Sequence, residues 1–233
     1  MSRVRESVTV GHLSGCLAVM MMKLIVVMVI AAAATSAAST PPPPLPTLTY
    51  PSSYAANVTE TTYTPLATHT VEVAYDWETT SLLIARPDGS VNPICADVKP
   101  GSSAPCTHLA HDTETRFLLF PASRECCTLC THQCGTEKPS WVHAVPSVYA
   151  GVVAVQGEVC NMWALSSNTP DRVATAADGR LCSLYDGGAD YPGDGAWNWD
   201  IPANQYSPTV DPSVFDIPSW CSPSALSQSC RDL

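Results

Sequence analysis

The chain has 233 residues, of which 45% are hydrophobic and 14% charged, with 21 prolines and 11 cysteines. This balance fits one compact domain with irregular flanks, and it is too apolar for a disordered chain. The formal net charge of −10 argues against a surface that neutralises phosphates, so we predict no nucleic-acid partner.

The N-terminus predicts export. An uninterrupted apolar run at residues 24–34 follows Lys23, and small residues come after it at 35–38. This is the pattern of a cleaved signal peptide, here over residues 1–38. The alternative is a signal anchor, but the run is shorter than the ~20 residues that a bilayer requires. We therefore predict a secreted, extracellular protein with no transmembrane segment in the mature chain.

A segment rich in proline, serine and threonine follows at residues 39–64. Such a composition is typical of an extended, solvated linker. The segment contains the sequon Asn57-Val58-Thr59, so Asn57 is the predicted glycosylation site. The folded domain is then expected over residues 65–233.

In this domain the hydrophobic pattern has a period of two. Alternation over residues 71–77 predicts a strand with one buried face, and a second strand at 82–85 ends at the turn sequence Pro-Asp-Gly. No stretch has the stripe of an amphipathic helix. The predicted fold class is therefore mainly all-β, an antiparallel sheet with few short helices. Further short apolar runs lie at residues 116–120, 147–156, 159–165 and 181–185.

The cysteines predict a disulfide framework. Removing Cys16 with the signal peptide leaves ten of the 11 cysteines, and an even number in an exported chain indicates five disulfides. Cys95 is expected to pair with Cys106, and Cys160 with Cys182, because each pair would close one local loop between neighbouring strands. The other pairings stay open. The ten are Cys95, Cys106, Cys126, Cys127, Cys130, Cys134, Cys160, Cys182, Cys221 and Cys230.

Three groups of residues have the composition of metal sites. The cysteine-rich run at 126–134 contains a histidine and is spaced like a zinc site, but an oxidising compartment favours disulfides. His108, His111 and Asp112 with Cys106 form a second group, for which a polar loop is the preferred interpretation. The third group, aspartates among glycines, would suit a weak Ca²⁺ site, although turns are favoured. We predict no cofactor, with Ca²⁺ as the alternative. The aspartates are Asp186, Asp190, Asp194 and Asp200.

The sequence motifs of known catalytic nucleophiles are missing. It contains no G-x-S-x-G, S-x-x-K or H-E-x-x-H motif and no glycine-rich phosphate loop. His69 and His143 are the candidate bases, and neither has a recognisable nucleophile nearby. We predict that the protein is not an enzyme. A catalytic triad assembled by the fold would overturn this prediction.

Several motifs, in their order along the chain, resemble the ependymin-related proteins. The more specific are G-x2-C-x2-W at 157–163 and F-x-I-P-x2-C at 215–221, and the resemblance covers residues ~70–221. It implies a secreted, disulfide-bonded and often glycosylated protein. Its curved antiparallel sheet, a half-open β-barrel similar to that of the lipoprotein carrier LolA, would wrap a hydrophobic pocket. The resemblance also implies homodimers and association with Ca²⁺. Other shared motifs lie at residues 71–77, 126–134, 141, 149–151 and 179–182.

Such a sheet would bind a lipid-like molecule by removing its apolar surface from water. The sequence therefore predicts a secreted protein that sequesters or carries a hydrophobic ligand. Alternatively, the same side chains fill an ordinary core. The protein would then be a structural or adhesive extracellular glycoprotein with weak Ca²⁺ association. The predicted wall residues of the pocket are Val73, Tyr75, Trp77, Leu83, Phe117, Leu119, Tyr149, Val153 and Trp163.

Overall fold

The computed structural model describes residues 44–64, 66–111, 115–131, 136–166, 170–187 and 195–230. These residues form a twelve-stranded sheet with antiparallel strand pairs and two short α-helices. The predicted fold class is confirmed. In the described ranges no helix is long and apolar enough to cross a bilayer. The predicted signal peptide lies outside them.

The order of the strands across the sheet is β6-β5-β4-β3-β2-β1-β11-β10-β9-β8-β7, with the short β12 added to β1. The sheet therefore consists of two meanders, β1 to β6 and β7 to β11, which meet where β1 pairs with β11. The edge strands β6 and β7 do not pair with each other over the described residues, so the sheet does not close. The strands are β1 (Ser53–Tyr63), β2 (Leu66–Asp76), β3 (Ser81–Arg86), β4 (Cys106–Ala110), β5 (Arg116–Phe120), β6 (Glu125–Cys130), β7 (Ser147–Val155), β8 (Glu158–Leu165), β9 (Arg172–Thr175), β10 (Leu181–Asp186), β11 (Trp197–Asp200) and β12 (Tyr206–Ser207).

Short helical segments connect these strands. The helices are α1 (Pro93–Val98) and α2 (Pro223–Leu226), and 3₁₀ turns lie at Gly89–Val91, Pro139–His143, Ala203–Gln205 and Pro212–Phe215. Proline occupies the first turn of α1 and α2, where its missing N–H has no helical partner to lose.

Strand β1 corrects the predicted domain boundary. Its residues were expected in a solvated linker, whereas the structure places them at the centre of the sheet, between β2 and β11. Every second side chain from Tyr54 to Thr62 is buried. Threonine suits strands as well as linkers, so composition alone misassigned this segment. Asn57, the predicted glycosylation site, is an exposed residue of this strand, and its side-chain amide donates to Gln205 at 3.1 Å.

The two faces of the sheet carry different apolar layers. The inner face is defined by a core that joins both meanders and includes Val58, Val71 and Val173, all fully buried. On the outer face, Leu109 packs with Phe215 of the C-terminal segment. Full burial of one such aliphatic side chain contributes ~1.5–3 kcal/mol. Both layers therefore stabilise the open sheet.

Four disulfides are placed within the described part of the chain. The two local pairs are those predicted from the sequence. The two long-range pairs tie neighbouring residues of β6 to the C-terminal segment. Because successive strand residues face opposite ways, adjacent cysteines of β6 reach different partners. The pairs are Cys95–Cys106, Cys160–Cys182, Cys126–Cys221 and Cys127–Cys230.

Candidate functional site

A cavity of about 450 Å³ lies on the inner face, where strands of both meanders and several connecting segments contribute to its wall. Small-molecule sites typically have volumes of about 300–1,000 Å³. The lining residues are Tyr50, Tyr54, Glu60, Thr62, Thr64, Tyr75, Leu82, Ile84, Arg86, Asn92, Pro93, His108, Arg116, Glu137, Trp141, Ala144, Val145, Asp171, Leu184, Tyr185, Asp186, Gly195, Trp197 and Trp199.

Three tyrosines form one part of the wall. The ring centroid of Tyr75 lies 5.7 Å from that of Tyr50 and 5.5 Å from that of Tyr54. The hydroxyls of Tyr50 and Tyr54 are 3.3 Å apart, and the Tyr75 hydroxyl donates to the backbone carbonyl of Glu137 at 2.7 Å. These rings present apolar edges and faces to the cavity while their hydroxyls are hydrogen-bonded.

Tyrosine ionisation reports on this packing. Burial raises the pKa of Tyr50 to about 12 and holds the pKa values of Tyr54 and Tyr75 above the ordinary tyrosine value. In a spectrophotometric titration of the folded protein we expect these three of the eight tyrosines to stay protonated at pH 11. If all eight ionised near pH 10 with the fold intact, this packing would be wrong.

Indoles and aliphatic side chains form the rest of the apolar wall. Trp141 packs edge-on against Tyr50, with ring centroids 5.7 Å apart. The ring centroids of Trp197 and Trp199, on β11, are 4.6 Å apart. The aliphatic contribution includes Leu82, Ile84, Val145 and Leu184.

A buried charged cluster is built into this wall. Glu60, which is only 1% exposed, accepts hydrogen bonds from Nε and Nη2 of Arg86 at 2.8 and 2.7 Å. The indole N–H of Trp199 donates to it at 2.8 Å, and Nε2 of His69 lies 2.7 Å away. An ionised carboxylate only accepts, so Nε2 of His69 carries the proton. The cluster follows from register, because Glu60 pairs with His69 on one side and Trp199 on the other.

The cluster has a defined charge state. Burial alone would raise the carboxyl pKa of Glu60, but the hydrogen bonds from His69 and Arg86 and the Arg86 charge hold it well below its ordinary value. The pKa of His108 is also well below its ordinary value, because burial disfavours the imidazolium and Arg86 and Arg116 repel it. At neutral pH, Glu60 is therefore a carboxylate and His108 is neutral.

Two nitrogens of the cluster have no hydrogen-bond partner in the described part of the structure. They are Nη1 of Arg86 and Nδ1 of His69, and both atoms are buried. Arg86 is itself a lining residue of the cavity, whereas His69 is not. An unpaired buried donor costs about 1–3 kcal/mol, so Nη1 of Arg86 is a position where a ligand acceptor would be favoured.

The structure divides the nine predicted wall residues among four places. Only Tyr75 lines the cavity. Four others belong to or pack against the inner core beside it, three lie on the outer face under the C-terminal segment, and one packs near the Cys160–Cys182 disulfide. The four beside the inner core are Val73, Trp77, Tyr149 and Trp163. The three on the outer face are Leu83, Phe117 and Leu119, and the one near the disulfide is Val153.

Register decides which residues share a face. Tyr75 of β2 pairs with Leu82, and Val73 pairs with Ile84. The inner face of β3 therefore carries Leu82 and Ile84, and Leu83 lies on the other side. A shift of one residue exchanges the two faces of a strand, and the sequence pattern did not supply the pairing.

Sequence analysis did not identify Glu60 or Arg86. The strand alternation could have identified them, because both lie at positions where the strand turns its side chains to the buried face, Glu60 in β1 and Arg86 in β3. A charged residue at such a buried position predicts a partner of opposite charge, since buried charges are paired. Reading residues 39–64 as a linker concealed the alternation in β1.

The second predicted metal group is organised differently from the expectation. Cys95, Cys106 and His108 lie close together, but the two cysteines form a disulfide with each other. His108 lies on the buried strand β4 with its Nε2 3.3 Å from Oδ1 of Asn92, so the prediction of a polar loop is wrong for this residue. His111 is exposed.

The other metal predictions are only partly within the described residues. Cys130 is disulfide-bonded, like the eight other cysteines that are described. Asp186 ends β10 and Asp200 ends β11, where Asp200 accepts from the side chain of Asn198 at 2.8 Å. Association with Ca²⁺ stays a prediction. Asp112, His132, Cys134, Asp190 and Asp194 lie outside the described residues.

Comparison with known proteins assigns no family. No family model matches the chain, and no curated protein does. Among solved structures, the chain is similar to an uncharacterized conserved protein from Thermus thermophilus, with 10% sequence identity and a TM-score of 0.44 over 72% of this chain and 86% of that chain. The resemblance to the ependymin-related proteins therefore rests on the sequence motifs.

Proposed function

We propose that the protein is a secreted carrier that holds a lipid-like ligand in the inner-face cavity without performing chemistry on it. The observation that carries this proposal is the cavity of about 450 Å³, whose wall combines aromatic and aliphatic side chains with polar and charged ones. Burial of apolar surface there contributes ~25 cal/mol per Å² without any directional contact. An aliphatic chain is the ligand that such a wall favours.

Export is supported by the state of the cysteines. All nine described cysteines are disulfide-bonded, and disulfides persist in oxidising compartments. The signal-peptide pattern and the exposed side chain of Asn57 in its sequon point the same way. Membership in the ependymin-related proteins, with homodimers and Ca²⁺ association, is part of the same proposal and is supported by the motifs at 157–163 and 215–221.

Native mass spectrometry of the protein secreted from its own cells, with extraction of co-purifying lipids, tests the carrier proposal. We expect bound lipid at near one molecule per chain. A bare chain carrying only glycans and disulfides, which gains no mass when offered fatty acids or sterols, would contradict the proposal. That result would favour the structural or adhesive alternative.

Filling part of the cavity should weaken binding. Leu82 is a half-buried lining residue, and Leu82→Trp would occupy space that the ligand needs. Loss of about 60 Å² of apolar contact weakens binding roughly tenfold. The matched control is Val152→Trp on β7, where the side chain is 64% exposed and outside the cavity. Equal lipid occupancy in both variants would place the ligand elsewhere.

A further inference from the structure

We infer that the cavity takes an amphipathic ligand whose anionic headgroup is bound by Arg86, with its aliphatic part against the aromatic wall. This inference rests on the proposed carrier function and specifies the class of lipid. It starts from a lining residue that is buried, permanently charged and, among the described residues, incompletely hydrogen-bonded. Arg86 is 6% exposed, and its Nη1 has no partner among the described residues.

Glu60 holds the guanidinium of Arg86 in place. The two hydrogen bonds through Nε and Nη2 use one edge of the planar group, so the orientation of the whole fork is set. Nη1, with its two N–H groups, is the part that remains for another acceptor. A donor that is held in position before binding loses little freedom when the ligand arrives, which favours affinity.

A second arginine and a neutral histidine line the same cavity as this donor. Arg116 on β5 also lines the cavity, and His108 on the intervening strand β4 is neutral. The lining also contains the carboxyl groups of Glu137, Asp171 and Asp186. The preference for an anion therefore rests on the donor of Arg86 that is held in position, and not on the net charge of the wall.

The same wall supplies the apolar half of the site. Trp199 donates its indole N–H to Glu60, and its ring packs against that of Trp197 at a tilt of 38°. Ile84 lies two residues before Arg86 on the same face of β3. A ligand anchored at Arg86 would thus have apolar contacts next to its headgroup. A free small anion would leave them unused.

Palmitate and methyl palmitate separate the headgroup from the chain. Both can be titrated into the full-length secreted protein by intrinsic fluorescence, because three tryptophans line the cavity. A charge-assisted hydrogen bond contributes a factor of about 10 to 100 in affinity, so palmitate should bind more tightly by that factor. Acetate, which has the headgroup without the chain, should not displace palmitate.

Removing the charged pair should remove the preference. We use Glu60→Leu with Arg86→Met, since removing one partner would leave the other buried without its counter-charge. In the double variant the ratio of the affinities for palmitate and methyl palmitate should fall to about one. The matched control is Arg124→Met, which removes an exposed arginine outside the cavity and should leave the preference unchanged.

The outcomes distinguish the two proposals. Equal affinity of the wild-type protein for palmitate and methyl palmitate overturns the headgroup inference. Displacement of palmitate by acetate overturns it too. Neither result contradicts the carrier function. Binding of neither probe removes the carrier function as well. If the double variant does not fold, the ratio of the two wild-type affinities decides the question without it.

Discussion

Replacing Glu60 by leucine should lower the free energy of unfolding by about 3–5 kcal/mol. The carboxylate is buried, and its loss would leave Arg86 charged in the wall with no counter-charge, while the Trp199 indole N–H would lose its acceptor. Urea unfolding at neutral pH, followed by circular dichroism, measures the change. It would be among the largest effects of any single substitution in this chain.

The double variant Glu60→Leu with Arg86→Met is the control for this effect. A buried ion pair replaced as a whole by apolar residues of similar size often costs little, because both desolvation penalties disappear together. We expect the double variant to be more stable than Glu60→Leu alone. If the two unfold with the same free energy, the charge pairing of Glu60 and Arg86 is not what the single substitution disrupts.

The same pair makes stability depend on pH in a defined direction. The folded-state pKa of Glu60 is depressed. Its stabilising contribution is therefore fully present above the unfolded glutamate pKa of about 4.3, and it is lost as the pH falls from there toward the lower folded value. Between pH 4 and pH 3, wild type should lose up to about 1.4 kcal/mol per pH unit more than the double variant. Parallel stability curves would contradict this assignment.

Removing the Cys127–Cys230 disulfide should cost about 4–5 kcal/mol, the second large effect. The two cysteines are separated by 103 residues, and a cross-link that closes so long a loop strongly restricts the unfolded chain. Cys230 also packs in a core cluster with Leu118 and Phe120. Thermal and urea unfolding of the Cys127→Ala, Cys230→Ala variant measures the loss.

The local disulfide Cys95–Cys106 provides the comparison. Its cysteines are 11 residues apart, for which the same chain-entropy argument predicts about 3 kcal/mol. Removing it by double alanine substitution should therefore destabilise less than removing Cys127–Cys230. If the local pair cost as much or more, its packing beside His108, and not loop closure, would dominate its contribution.

Arg86 connects stability with the proposed binding function. Two of its nitrogens stabilise the sheet through Glu60, and the third is the proposed headgroup donor. A single Arg86 substitution would change both properties at once. The preference of the wild-type protein for palmitate measures the binding role, and the stability of the double variant measures the structural role.

Local patterns in the sequence determined the fold class and part of the disulfide framework. Alternation with a period of two is a property of each strand by itself, so the antiparallel sheet follows from residues close in the chain. Cys95–Cys106 and Cys160–Cys182 were predictable for the same reason, since each closes a short loop. Sequence composition also indicated an oxidising compartment, and the disulfides of the described residues are consistent with it.

Only the tertiary structure decided which side chains meet. The pairing of Tyr75 with Leu82 determines the cavity face, and a shift of one residue would have exchanged it for the outer face. Glu60, Arg86 and Trp199 come from three strands, and their separations along the chain, 26 residues for the first pair and 139 for Glu60 with Trp199, leave no local signal of contact. A site assembled by register across a sheet is a property of the fold, because no segment contains it.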